Sequence, residues 1–202
     1  SELSRQMCFC SPLIRRGLDL RQSYVWSKGI VIEGAPDLHA EDSKRGRPSA
    51  KKKFFNDKNI IRYILSAEGH KDLEAAAFND GMYFFLGDEN TKTGHPVPIT
   101  EIDGVYTNPE YSGEVWAYRR NFPVYRADGN VERKIEWIYV DTYTGDKTNP
   151  EGQGAQATTG EPVTVNKDKV FFVKSFNTMV GDAIGVPDSL PALKWARIYA
   201  EM

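Results

Sequence analysis

The sequence predicts an α+β protein in which a mixed or antiparallel β-sheet packs with several helices, with helices at both ends of the chain. Helical apolar patterns occupy residues 12–29 and 187–202, whereas short extended apolar runs separated by turn sequences lie between residues 82 and 173. With 40% hydrophobic and 27% charged residues, the composition is that of a globular protein. A length of 202 residues favours a single domain over residues 1–202.

The charge balance and the cysteine content exclude several classes of protein. A net charge of −2, from 26 basic and 28 acidic residues, excludes a uniformly basic nucleic-acid binder but not a local basic patch. No run approaches the roughly eighteen apolar residues of a membrane-spanning helix, so no membrane partner is expected. The two cysteines suit a reducing compartment or a protein that needs no disulfide.

The first predicted helix begins at Pro12, behind a possible Ser11 cap, and ends at Gly29. Arg21 falls within its apolar face, where a charge needs a partner or an edge position. We expect the stem of Arg21 to pack while its head reaches water, and a charge held by a partner is the alternative. The apolar face comprises Leu13, Ile14, Gly17, Leu18, Leu20, Tyr24 and Val25.

Residues 34–53 contain almost no large apolar side chains and predict an exposed, mobile loop. Within it, Lys44-Arg45-Gly46-Arg47-Pro48 is similar to an AT-hook core, whose arginines lie along the minor groove of DNA. A charged loop that keeps an edge soluble, or that orders against another subunit, is the favoured alternative. The candidate nucleic-acid-binding residues are Lys44, Arg45, Arg47, Lys51, Lys52 and Lys53.

In the middle of the chain, the spacing of apolar residues changes from one typical of helices to one typical of strands. Short helices are predicted at residues 59–65 and 71–79, the second of which ends before Gly81. The Asp128-Gly129-Asn130 sequence predicts a hairpin turn, and a Gly-rich flexible loop is expected at residues 144–161. The predicted strands are 82–86, 97–105, 114–122, 124–126, 131–140, 163–165 and 170–173, with a polar turn at 87–95.

The last predicted helix begins near Pro187 or Asp188 and has only a narrow polar stripe, formed by Lys194, Arg197 and Glu201. Such a helix needs cover on more than one side. We therefore expect the chain to be a piece of a longer protein, and a fully buried terminal helix is the alternative.

The search for chemistry finds no catalytic, cofactor-binding or metal site, so an enzyme is not predicted. Cys8 and Cys10 have one residue between them, which does not suit structural zinc. His39, His70 and His95 are scattered, and neither a nucleophile elbow nor a phosphate-binding loop is present. An unrecognised active site stays open, and it would require a cleft with two buried carboxylates within hydrogen-bond reach.

Four segments together give the chain a resemblance to the portal proteins of tailed bacteriophages. They are residues 11–29, residues 72–86, the strand Val115–Arg120 that follows Glu101-Ile102, and residues 168–196. The fourth is the most specific, since its Val170–Lys174 strand precedes a Gly185-Val186-Pro187 turn and a helix. Phe172 stands where many relatives have His, and the basic insertion 44–53 has no family counterpart.

The resemblance implies a structural role for a wing-like domain without the stem, clip and crown. Portal subunits form a ring, typically of twelve, at one capsid vertex. Double-stranded DNA passes through that ring without sequence recognition during packaging and ejection. The implied partners are other copies of the subunit, the major capsid protein, the packaging terminase and head–tail connector proteins, and the implied location is the virion, assembled in the bacterial cytoplasm.

Overall fold

The computed structural model describes residues 2–26, 57–91, 93–152, 162–179, 181–193 and 198. The described strands form one six-stranded mixed sheet, with helices before it and after it, so the predicted α+β class is confirmed. The helices are α1 (Glu2–Cys10), α2 (Pro12–Trp26), α3 (Lys58–Ile60), a π-helical turn (Ile61–Leu65) and α4 (Ala67–Asp80), and residues 190–193 are also helical. The strands are β1 (Met82–Asp88), β2 (Thr93–Val97), β3 (Ile102–Asn108), β4 (Tyr111–Tyr125), β5 (Val131–Val140) and β6 (Val163–Ser175).

The bounds of α4 follow from its capping residues. The Ser66 side chain accepts a hydrogen bond from Gly69 N at 2.9 Å, so the helix begins four residues before the prediction, and His70 lies inside it. Gly81 ends the helix as predicted, with a left-handed φ of 71° and its N–H bonded to the Ala76 and Ala77 carbonyls. β1 therefore starts directly after a helix C-cap.

The sheet has the strand order β2-β1-β6-β5-β4-β3, with β5 and β6 parallel and all other neighbours antiparallel. A flat sheet of this width would separate β2 from β3 by about 24 Å, because neighbouring strands lie about 4.8 Å apart. The chain from Val97 to Ile102 spans at most about 18 Å. The sheet must therefore curl, and the rings of Phe84 and Tyr118, from strands three places apart, lie only 4.9 Å from each other.

Curling gives the sheet a filled concave face and a second core on its outer face. The concave core contains Met82, Phe84, Leu86, Val97, Tyr118, Ile138, Val140 and Phe171. The outer core contains Ala117, Ile135, Trp137, Tyr139 and Val163. In β5, residues 135, 137 and 139 therefore share the outer face, and residues 136 and 138 share the concave face.

Some predicted strand bounds are wrong. The strand expected at 97–105 is interrupted at Pro98, which cannot donate to a ladder, and a 3₁₀ turn (Ile99–Glu101) leads to β3. The polar turn is shorter than expected, since β1 extends to Asp88 and β2 begins at Thr93. The two last predicted strands form one strand, β6.

The hairpin and its turn are confirmed. Arg126 N donates to Asn130 O at 2.9 Å, and Gly129 has a φ of 83°. By contrast, Phe172 is 48% exposed, although its neighbour Phe171 in the same apolar run is fully buried. Since Phe171 occupies the concave face, strict alternation turns its neighbour outward.

Candidate functional site

The helices and the segment after the sheet meet at a junction built around Arg21 of α2. Its guanidinium forms ion pairs with Glu74 of α4 and with Asp188. Glu74 is 7% exposed, so its carboxylate would be costly to leave unpaired. The Arg21 side chain is 38% exposed, so it is not buried, and it also has partners, since two carboxylates hold its head.

Two stacked rings cover one side of this junction. The ring centroids of Trp26 and His70 are 4.7 Å apart, and Trp26 Nε1 donates to Glu74 Oε2 at 3.2 Å. His70 is 2% exposed, and within the described residues neither of its ring nitrogens has a hydrogen-bond partner. An enclosed imidazole without an orienting group suits packing rather than proton transfer.

The same junction contains two glycine turns in direct contact. Phe176 N donates to Gly81 O at 2.8 Å, and Val186 N donates to Phe176 O at 2.9 Å. A Cβ placed on Gly185 would lie 1.9 Å from Gly81 O. The turn that starts the sheet and the turn that follows it therefore form one backbone-to-backbone contact.

Helix α1 is fixed to this region by a bidentate ion pair. Arg5 Nε and Nη2 donate to the two carboxylate oxygens of Asp80 at 2.8 and 2.6 Å. Asp80 is 5% exposed and directly precedes Gly81. Residues from three of the four portal-like segments thus meet at this junction: Arg21 from 11–29, Glu74 from 72–86 and Asp188 from 168–196. Helix α1, which precedes the first predicted helix, packs beside them.

A second group of charges lies on the concave face, at the end where β5 begins. Glu136 is fully buried there, with Lys134 Nζ at 2.9 Å, Asn166 Nδ2 at 3.1 Å and Lys169 Nζ at 3.5 Å from its carboxylate oxygens. Burial raises the pKa of Glu136, but the bonds from Lys134 and Asn166 and the Lys169 charge outweigh it, so the pKa lies below its ordinary value. An ionised carboxylate held by these partners suits structural anchoring rather than proton donation.

Arg120 lies at the same end of the sheet, opposite Glu136 in the β4–β5 register. Its Nε is 2.7 Å from Glu101 Oε2, and its guanidinium carbon is 3.9 Å from the Phe122 ring centroid. Desolvation and the nearby Arg120 charge lower the pKa of His95. His95 is therefore neutral at neutral pH.

The opposite end of the curled sheet has a cleft of about 280 Å³ that Tyr118, Asp141 and Asp182 help to line. Both aspartates are exposed, whereas the buried carboxylates of the described residues, Glu74, Asp80 and Glu136, lie elsewhere and have basic partners. This cleft therefore does not contain the two buried carboxylates that would favour an enzyme.

The described residues do not support a metal site or a membrane-spanning helix. They contain no group of three His, Cys, Asp or Glu side chains able to hold a metal ion. Cys8 is buried, Cys10 is exposed, and both are free thiols; burial raises the pKa of Cys8. In the same ranges, no helix has the length and apolar character needed to cross a bilayer.

The candidate nucleic-acid-binding residues 44–53 lie outside the described residues, as do His39, the whole loop predicted at 34–53 and residues 153–161 of the second predicted loop. Sequence reasoning missed the burial of Glu74 and Glu136. A signal existed for Glu136, since both faces of residues 135–140 are otherwise apolar, which is typical of a strand covered on both sides.

Compared with known proteins, the sequence matches no protein-family model and no curated protein.

Proposed function

We propose that this chain is the wing-like part of a portal subunit that forms a ring at the capsid vertex of a tailed bacteriophage. The observation that carries the proposal is the convergence of three of the four portal-like segments at one junction. Arg21 from the first segment pairs with Glu74 from the second and with Asp188 from the fourth. Segments that define a family pattern are expected to pack together when they build one structural unit.

An exposed face of α2 supports a role in assembly. Leu13, Leu20 and Tyr24 are 61%, 54% and 89% exposed, and Gly17 lies between them. Their four-three-four spacing is that of a seam between two helices. Ile14 and Leu18 cover the adjacent face, and they are the only two of the seven predicted apolar-face residues, all within the described α2, that are buried.

The pairing of the buried carboxylates also favours a structural role over a catalytic one. Each buried carboxylate of the described residues forms an ion pair: Asp80 with Arg5, Glu74 with Arg21, and Glu136 with Lys134 and Lys169. Catalytic acids and bases need access to a substrate and a tuned proton affinity. The proposed partners are further copies of the subunit, the capsid protein, terminase, connector proteins and passing DNA, within the virion.

Electron microscopy of the natural full-length protein tests the proposal. Negative-stain images should show rings with a central hole, and stable monomers at every concentration would refute it. The double variant Leu20→Glu/Tyr24→Glu should abolish the rings. Arg15→Glu should retain them, because Arg15 is exposed and lies away from the apolar face formed by Leu20 and Tyr24. Circular dichroism should show the same helix content for all three proteins.

The basic residues 44–53 motivate a competing hypothesis, that of a DNA-binding module. It predicts affinity for A·T-rich duplex that falls with salt and is lost when Arg45 and Arg47 become Ala. Equal binding by the wild type and by this double variant would remove it.

A further inference from the structure

The outer face of the sheet carries an aromatic cluster. Trp116 lies between two tyrosines, with ring centroids 5.4 Å from Tyr106 and 5.5 Å from Tyr143, and the Tyr139 ring is 4.6 Å from that of Tyr143. Tyr106, Trp116 and Tyr143 are half-buried, so they border the solvent and also pack on the outer core. Aromatic faces at a surface attract cations through their ring quadrupole.

One half of this face already holds a guanidinium of the chain itself. The Arg119 guanidinium carbon is 5.9 Å from the Trp137 ring centroid. Two carboxylates hold the same group, with Asp103 Oδ1 at 2.7 Å from Nε and Glu151 Oε1 at 2.6 Å from Nη1. Glu151 also accepts a hydrogen bond from Trp137 Nε1 at 3.2 Å, so ring and carboxylate act together on the cation.

The other half repeats this pairing of indole and carboxylate. Trp116 Nε1 donates to Glu114 Oε1 at 3.1 Å, and Asn108 Nδ2 donates to Glu114 Oε2 at 2.8 Å. These two hydrogen bonds lower the pKa of Glu114, so its exposed carboxylate is ionised at neutral pH. Within the described residues, Glu114 has no basic partner.

The net negative charge of this face favours a positively charged ligand. Asp103, Glu114 and Glu151 are set against Arg119 and against Arg133, which is linked to Asp103 through Asn121, so an excess of negative charge remains beside the rings. Such a surface repels phosphate groups, so a nucleic acid does not fit it. It fits a cation with an aliphatic stem that packs on the aromatic rings, as Arg and Lys side chains do.

We propose that the Trp116 face, made of Tyr106, Trp116, Tyr143 and Glu114, docks a basic protein segment by placing an Arg or Lys side chain over its rings beside Glu114. The inference does not depend on the assembly of subunits into a ring, since it concerns a surface of the sheet and not the helical junction. It assigns the outer face of β4 to partner binding.

The experiment measures binding of a fluorescent peptide of about eight residues, alternating glycine and arginine, to the full chain by anisotropy. Binding should saturate below 1 mM and weaken as salt rises. We expect Trp116→Leu and Glu114→Gln each to raise the Kd about two- to fivefold, and the double variant about tenfold. Glutamine can still accept the Trp116 hydrogen bond but not the one from Asn108, so Glu114→Gln removes the charge at the cost of one exposed hydrogen bond.

Matched controls lie elsewhere on the surface. Tyr24→Leu and Glu68→Gln change an exposed ring and an exposed acid on helices α2 and α4, and they should leave the Kd unchanged. A peptide with glutamine in place of arginine should not bind. The proposal is overturned by an absence of saturable binding, or by a double variant that binds the arginine peptide as tightly as the wild type.

Discussion

Gly81 and Gly185 touch through their backbones, and this contact joins the turn that begins the sheet to the segment that leaves it. A Cβ on Gly185 would lie 1.9 Å from Gly81 O, and a Cβ on Gly81 would lie 2.4 Å from Val186 C. Gly81 also has a φ of 71°, a conformation that other residues rarely adopt. Only a residue without a side chain fits either position.

We expect Gly185→Ala to lower the free energy of unfolding by about 3 kcal/mol, because the new methyl group would meet backbone atoms that cannot move aside. Gly17→Ala is the matched control, since a Cβ there has no neighbour within 4 Å. In the exposed middle of α2, this change should raise stability by up to about 1 kcal/mol. Urea unfolding followed by circular dichroism measures both, and equal stability of the two variants would contradict the contact.

The pairing of Arg21 with Glu74 predicts a second stability effect. Arg21→Met should cost about 2 kcal/mol, below the usual cost of breaking a buried pair because 38% of the Arg21 side chain is exposed. Arg126→Met is the control, since Arg126 and Glu132 are 59% and 56% exposed, and it should cost less than about 0.5 kcal/mol.

A double-mutant cycle distinguishes the Arg21 pair from general packing. If the charge pair matters, Glu74→Gln and Arg21→Met together should cost less than the sum of the two single changes. Additive costs would show that the two side chains contribute independently.

Local signals in the sequence predicted the elements whose bounds depend on nearby residues. Gly81 ends α4 because its left-handed cap depends only on Gly81 and on the carbonyls of the preceding helical turn. Asp128-Gly129-Asn130 forms a hairpin turn through backbone hydrogen bonds between residues that are close in sequence. The α+β class followed from the change of period between such signals.

Features that depend on distant contacts were not predictable in this way. Arg21 and Asp188 are 167 residues apart, so the amphipathic pattern of α2 revealed an anomalous charge but not its partners. The exposure of Phe172 depends on which face of β6 the sheet closes over, which a dense apolar run does not show. The curl of the sheet depends on the short path from β2 to β3, and the predicted single strand at 97–105 concealed it.

The lowered pKa of Glu136 predicts loss of stability in acid. A carboxyl group with a lowered folded pKa stabilises the protein above its unfolded pKa of about 4.3, and that stability is lost as the pH falls through the folded pKa. Unfolding free energies measured between pH 7 and pH 3 should therefore fall less steeply for Glu136→Gln than for the wild type. Glu132→Gln, an exposed change on the same strand, should retain the wild-type slope, and equal slopes for all three proteins would contradict the ion-pair assignment.

Two tyrosines should resist ionisation in alkali. Burial raises the pKa of Tyr118 to about 12, and burial together with the Asp72 charge raises the pKa of Tyr83 to about 12. Ultraviolet titration of Tyr118→Phe and Tyr83→Phe should give the wild-type absorbance change up to pH 11, because the removed rings do not ionise in that range. A Tyr118→Phe protein that loses the absorbance change of one tyrosine below pH 11 would place that ring in water, and the closed concave core described for the sheet would be wrong.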